Sequence, residues 1–147
     1  MRLRTLWLLP LIFVALVGCG NEDDVELSDE PQLFVDRNVL QFDTEYGSGT
    51  YLGTTTYNTL IIENRGLKEL QITQVAKDGP GQFTLRLPQD LLDGKPLRLQ
   101  SREQAFIEVA FKPTEARQYD GTLVIRSNDP KVDLKQVTLT AKGVPQP

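Results

Sequence analysis

The stretch Ala105-Phe106-Ile107-Glu108-Val109-Ala110-Phe111 decides the fold. Successive side chains of an extended chain point to opposite faces, so Ala105, Ile107, Val109 and Phe111 share one side and Phe106, Glu108 and Ala110 the other. A helix would distribute the same residues around its circumference. The same period of two recurs outward in both directions. Leu60 and Ile62 alternate with Thr59, Ile61 and Glu63, Leu70 and Ile72 with Gln71 and Thr73, and Phe83, Leu85 and Leu87 with Thr84 and Arg86. Downstream, Leu123 and Ile125 alternate with Val124 and Arg126, and Val137, Leu139 and Ala141 with Thr138 and Thr140.

Turn chemistry separates these runs. Asn64-Arg65-Gly66 and Asp78-Gly79-Pro80 supply positive φ and a fixed φ, and Asn128-Asp129-Pro130 supplies Asx hydrogen bonds followed by a break. The one helical candidate, Gln89 to Leu92, is cut short by Asp93-Gly94 and Pro96. Short strands with regular turns over about 110 residues predict an all-β, two-sheet antiparallel sandwich.

The whole chain is 147 residues, 39% hydrophobic and 24% charged, and its composition excludes disorder throughout. It has no His and one Cys. Nucleophile–imidazole pairs, His-ligated metals, thiolate clusters and internal disulfides are therefore excluded.

Residues 1–18 read as an export signal: Arg2 and Arg4 carry the only charges, and an apolar run follows from Leu6 to Val17, broken by Pro10. The run is too short for a membrane-spanning helix, which needs about 20 residues. It ends in Leu16-Val17-Gly18-Cys19, which resembles the bacterial lipobox. That resemblance implies cleavage before Cys19 and lipid attachment at its sulfur and new amino group, leaving the mature chain anchored to a membrane without crossing it. A buried structural role for Cys19 is disfavoured, because a Cys directly after a signal has no core to join. Gly20 follows Cys19 where some bacteria read an Asp as an inner-membrane retention signal, so the expected location is the cell envelope at the outer membrane.

After removal of residues 1–18 the chain has 14 basic and 20 acidic residues, net −6. Glu22, Asp23, Asp24, Glu26, Asp29 and Glu30 all lie between Cys19 and Gln32, where there is no Lys or Arg. Residues 19–32 therefore read as an acidic flexible tether and residues 33–147 as a charge-balanced domain. The acidic run lacks the alternating oxygen ligands of a calcium loop, so no metal is expected. A neutral domain behind an acidic leader also argues against nucleic acid.

Leu40-Gln41-Phe42, Leu60-Ile61-Ile62-Glu63-Asn64-Arg65-Gly66, Leu70-Gln71-Ile72, Gly81-Gln82-Phe83, Val109-Ala110-Phe111-Lys112-Pro113, Tyr119-Asp120-Gly121-Thr122-Leu123-Val124-Ile125 and Ser127-Asn128-Asp129-Pro130 occur in this order. The set resembles the ASH/Hydin group of immunoglobulin-like domains, related to major sperm protein domains and to bacterial "choice-of-anchor D" repeats. The resemblance implies an immunoglobulin-like β-sandwich of seven to nine strands and a role in assembly or adhesion. It supplies no catalytic residues and no cofactor. Arg117-Gln118 departs from the pattern where a Gly commonly precedes the Tyr, and Lys142-Gly143-Val144 departs from a closing Gly-x-Gly.

Carboxylates are the plentiful catalytic group, but Glu108 lies on the outer face and Asp120, Asp129 and Asp133 fall at turns, so no catalytic pair is expected. Tyr51 and Tyr57 share a face with Thr55 and Thr59 if their strand is continuous, a platform for a sugar or a protein. Ordinary cross-strand pairing on a polar face is the competing reading. Tyr119 opens its strand and is placed to tie its hydroxyl to nearby backbone. In a seven-strand topology the loops 64–69 and 127–133 return to the end where the chain enters. The Lys112–Gln118 turn and the Tyr46–Gly49 loop lie at the far end, which makes Lys112 and Arg117 candidates for contact with an envelope or surface protein. The expected function is a non-enzymatic, lipid-anchored interaction domain, with a carbohydrate-binding module as the alternative.

Overall fold

A computed structural model of the protein describes residues 27–42 and 49–147. In chain order it contains β1 (Leu33–Val35), β2 (Val39–Phe42), β3 (Thr50–Tyr51), β4 (Thr56–Asn64), β5 (Leu70–Asp78), β6 (Phe83–Arg86), α1 (Gln89–Leu92), β7 (Leu97–Leu99), β8 (Gln104–Phe111), β9 (Gln118–Ser127) and β10 (Leu134–Val144). One sheet has the order β1-β4-β8-β6. The other runs β2-β10-β9-β5-β7, with β3 also alongside β10. All pairs are antiparallel except those of β2 and β3 with β10. The all-β sandwich is as expected, with ten strands among the described residues instead of seven to nine. The added pieces β1, β3 and β7 have two or three residues each, too few for a period of two to show.

Every alternation read from sequence points its large aliphatics between the sheets. Leu60, Ile62, Leu70, Ile72, Ile107, Val109, Leu123, Ile125, Val137 and Leu139 are buried, each contributing about 1.5–3 kcal/mol relative to exposure. Toward one end the core becomes aromatic. Phe83 and Phe111 have ring centroids 5.0 Å apart, Phe42 lies 5.5 Å from Phe83, and Tyr119 meets Phe111 edge-on at 5.2 Å. The helical turn α1 lacks a side-chain N-cap bond, and its Leu91 packs against this core.

Between β1 and β2 the chain crosses from one sheet to the other. Asp36 marks the crossing: its Oδ1 accepts from Ile61 N at 2.9 Å and its Oδ2 from Arg37 at 2.7 Å. Burial pushes this carboxyl up, but those hydrogen bonds and the Arg37 charge outweigh it and hold it below the usual carboxylate range.

The end where the chain enters is closed by polar side chains. Asn64, fully buried, accepts from Gly66 N at 2.8 Å and Gln32 N at 3.4 Å, and donates to Lys68 O at 2.8 Å and Leu99 O at 3.0 Å. Asp129, also buried, accepts from Leu33 N at 2.8 Å, Lys131 N at 2.8 Å and Val132 N at 3.2 Å. Ser28 to Gln32, which sequence places in the tether, is attached here. Ser28 N donates to Arg65 O, Leu67 N to Ser28 O and Arg65 N to Gln32 O, while Lys68 and Glu30 form an ion pair at 2.7 Å. Gly66 permits the approach, since a Cβ there would collide with the Glu30 carbonyl and sit 2.8 Å from Gln32 N. Residues 1–26, including the expected signal, Cys19 and the first part of the expected tether, lie outside the described residues, as do residues 43–48, which hold most of the expected Tyr46–Gly49 loop.

The register makes a direct prediction. Val109→Asp would place an unpaired carboxylate between the sheets at a cost of several kcal/mol, enough to unfold a small domain. Glu108→Ala on the outer face is expected to change stability by less than about 1 kcal/mol, the value of an exposed ion pair. Chemical denaturation ranking the two in the opposite order would place the β8 register off by one residue.

Candidate functional site

The outer face of the four-stranded sheet carries the residues with unspent chemistry. Register puts Tyr57 opposite Ala110 and Ala110 opposite Thr84, in one row across β4, β8 and β6. The methyl of Ala110 fills little of the space between its larger neighbours, so the row sinks in the middle. A shallow groove of about 340 Å³ results, with Tyr57, Arg86, Lys112, Gln82, Thr84 and Thr114 among its walls.

Tyr57 is 53% exposed, and the Arg86 guanidinium lies 5.1 Å from its ring centroid, a cation–π contact. Arg86 also pairs with Glu108 at 3.0 Å. Lys112 is exposed and makes no ion pair among the described residues. Gln82 Nε2 donates to Thr114 Oγ1 at 3.0 Å, closing the far wall. The groove thus offers an aromatic ring, two cations, an amide and hydroxyls, a set suited to a partially acidic, amphipathic surface. Further along the same face, Phe106 is 58% exposed and faces Ile61 on β4.

Of the four candidate interaction residues, the groove unites Tyr57 and Lys112. Tyr51 is not part of it, which corrects the expectation of a common Tyr51–Tyr57 face. Gly53, at φ +77°, turns the chain after β3, with Thr54 N donating to Tyr51 O at 3.0 Å and Gly53 N to Pro113 O at 2.9 Å. Tyr51 therefore pairs with Val144 in one sheet, while Tyr57 pairs with Ala110 in the other. Sequence could not show the break, because Tyr51 and Tyr57 have the even spacing of one strand.

Arg117 serves its own turn. Its guanidinium lies 4.0 Å from the Tyr119 ring centroid and pairs with Glu115 at 3.0 Å. Tyr119 is the corner that the sequence suggested: its hydroxyl donates to Glu115 O at 3.2 Å and accepts from Glu115 N at 3.0 Å. The Arg117-Gln118 departure is absorbed without positive φ. The groove and this turn lie at the end of the sandwich opposite the entry, where Gly143 N donates to Arg117 O.

Asp120, which lies within β9 and not at a turn, and the turn residue Asp129 are engaged structurally, as is Glu69. Asp120 accepts from Thr140 Oγ1 at 2.9 Å and Gln118 Nε2 at 3.1 Å, and Asp129 holds backbone N–H groups. Glu69 accepts from the Gln71 and Gln100 amides at 2.9 and 2.8 Å; those bonds, with the Arg98 charge, keep its carboxyl below the usual range. Among the described residues no three His, Cys, Asp or Glu side chains are grouped to hold a metal ion.

Residues 31–143 match the family described as HYDIN/CFA65/VesB-like, Ig-like domain. The chain belongs to this family. No curated protein matches the sequence. Among solved structures, this HYDIN-type domain is similar to the ASH/PapD-like domain 7 of human CEP192, with a TM-score of 0.60 at 12% identity over 94% of this chain and 100% of that one. It is also similar to a Porphyromonas gingivalis W83 protein of unknown function, at 16% identity and TM-score 0.60, over 83% of this chain and 51% of that one. The periplasmic chaperone SfaE matches with a TM-score of 0.53 at 11% identity, over 79% of this chain and 59% of that one. At these identities the likeness shows the fold, and the HYDIN-type domain spans about half the length of the latter two proteins.

Tyr119→Phe keeps the ring in the aromatic cluster and removes only the hydroxyl that bridges both backbone groups of Glu115. The expected loss is about 1–2 kcal/mol in chemical denaturation. Unchanged stability would show that the Lys112–Gln118 turn holds its shape without the corner.

Proposed function

We propose that this protein is a lipoprotein of the bacterial cell envelope, anchored through Cys19, whose Ig-like domain is non-catalytic and captures another envelope or surface protein with its Tyr57–Arg86–Lys112 groove. The observation that carries the reading is polarity. The chain enters at the end closed by Asn64 and Asp129, and the groove opens toward the other end, so an anchor at Cys19 turns the groove away from the membrane. The four-residue lipobox match supports the anchor, and Gly20 favours the outer membrane.

The fold is also that of proteins described as a periplasmic chaperone and as a chaperone–tip adhesin complex, which fits protein capture. A sugar platform of two tyrosines loses its second ring with Tyr51 in the other sheet. Burial of the exposed Tyr57 ring supplies contact area at low entropic cost, and Arg86 and Lys112 select carboxylates on the partner.

Two variants test the two halves. Cys19→Ser is expected to shift the protein from the detergent phase to the aqueous phase, and unchanged partitioning contradicts the anchor. Lys112→Glu is expected to weaken partner capture from solubilised envelopes by roughly tenfold, the scale of a charge reversal facing a carboxylate. Lys135→Glu, on β10 of the other sheet, is expected to leave capture unchanged. Equal losses in both would move the contact off the groove.

A further inference from the structure

The end where the chain enters carries apolar side chains that the domain leaves uncovered. Leu67, on the loop after β4, is 56% exposed, and Val132, on the loop after β9, is 40% exposed. Both loops close on the entering segment. Leu67 N donates to Ser28 O at 2.8 Å, and Val132 N shares the Asp129 carboxylate with Leu33 N. Lys131 lines a cleft of about 360 Å³ with Leu27, Ser28, Asp29 and Gln32 and makes no ion pair among the described residues. Lys68 beside Leu67 is 62% exposed at its side chain even while paired with Glu30. The tips of this end are thus aliphatic, each next to a lysine.

The length of chain before this end says what it meets. Attachment of Ser28 leaves eight residue steps from Cys19 to Leu27, which reach at most about 26–29 Å. With Cys19 in the bilayer, the two loops are confined within that distance of the surface. Such confinement raises their effective concentration at the lipid, so a contact too weak to bind alone becomes populated.

Resting on the lipid-anchor reading above, we infer that this end docks on the phospholipid leaflet, with Leu67 and Val132 in the interfacial zone and Lys68 and Lys131 at the level of the phosphates. Long lysine stems reach the headgroups while their tips stay hydrated. The sequence between Cys19 and Leu27 holds Glu22, Asp23, Asp24 and Glu26 and no Lys or Arg, a charge that opposes a strongly anionic surface, so the matching surface is a largely zwitterionic one. Docking would limit the tilt of the domain and hold the groove outward.

The lipidated full chain permits a clean test, because its one Cys is blocked by lipid and Leu67→Cys introduces a unique thiol at an exposed site. That thiol is labelled with a polarity-sensitive fluorophore, and the protein is reconstituted into vesicles of phosphatidylethanolamine with a minor share of phosphatidylglycerol. Lys112→Cys, labelled in the same way, reports the opposite end. The expected result is a blue-shifted emission and reduced iodide quenching at position 67, lessened by Val132→Ser, with neither effect at position 112. Equal solvent access at 67 and 112 on vesicles that retain the protein overturns the docking and leaves the anchor standing. Protein that fails to stay with the vesicles overturns the anchor, and the docking with it. A shift at position 67 on native envelopes that is absent on pure lipid also overturns the inference, assigning these tips to a protein partner.

Discussion

The side-chain amide of Asn64 is the contact on which the geometry of the molecule turns. It sits at the end of β4 in one sheet and donates to Leu99 O on β7 in the other, so one residue ties the two layers together where they would otherwise part. Its oxygen accepts from Gly66 and Gln32, fixing the loop and the entering chain at once. A buried amide with both protons and its oxygen engaged is stable in place, whereas each backbone group it serves would be costly to leave unpaired. Asp129 does the same from the other loop, collecting Leu33, Lys131 and Val132. The direction in which the chain leaves the domain follows from these two side chains.

The opposite end is closed by different chemistry. Four rings, Phe42, Phe83, Phe111 and Tyr119, fill it, and the Tyr119 hydroxyl pins the 112–118 turn to the strand that follows. A polar clasp at the entry and an aromatic plug at the far end make the sandwich directional. The groove lies on one outer face toward the aromatic end, formed because Ala110 is small where Tyr57, Arg86 and Lys112 are long. Exposed chemistry is thereby placed away from the end where the chain enters, as the proposed anchored capture domain requires.

Much of this was legible in the residues. The inward sets on β4, β5, β8, β9 and β10 follow from period two, because strands of eight or more residues repeat the signal several times. The loops at the entry end followed from order alone, since antiparallel strands return the chain to the side it left; loops 64–69 and 127–133 do meet the entering segment. The split between Tyr51 and Tyr57 was hidden, because it depends on Gly53 adopting positive φ and on β3 choosing β10 over β4. The attachment of Ser28 to Gln32 was hidden too: charge and low hydrophobicity describe an unattached segment, and apart from the Glu30–Lys68 ion pair it is held through its backbone groups, which carry no sequence signal. The groove was half visible, with Tyr57 and Lys112 named individually. Their meeting with Arg86 required the pairing of β6 with β8.

The entering chain is clasped to the domain, so that the anchor proposed upstream would set which way the groove faces. Amide hydrogen exchange of the folded protein tests it directly, since exchange from a clasped segment requires the domain end to open. The amides of Leu33, Arg65 and Gly66 should exchange far more slowly than a free chain, with Leu33 accelerated by Asp129→Ala and Gly66 by Asn64→Ala. Exchange of Leu33 and Gly66 at free-chain rates in the unmodified protein would contradict the account, leaving the groove without a fixed direction relative to the entering chain.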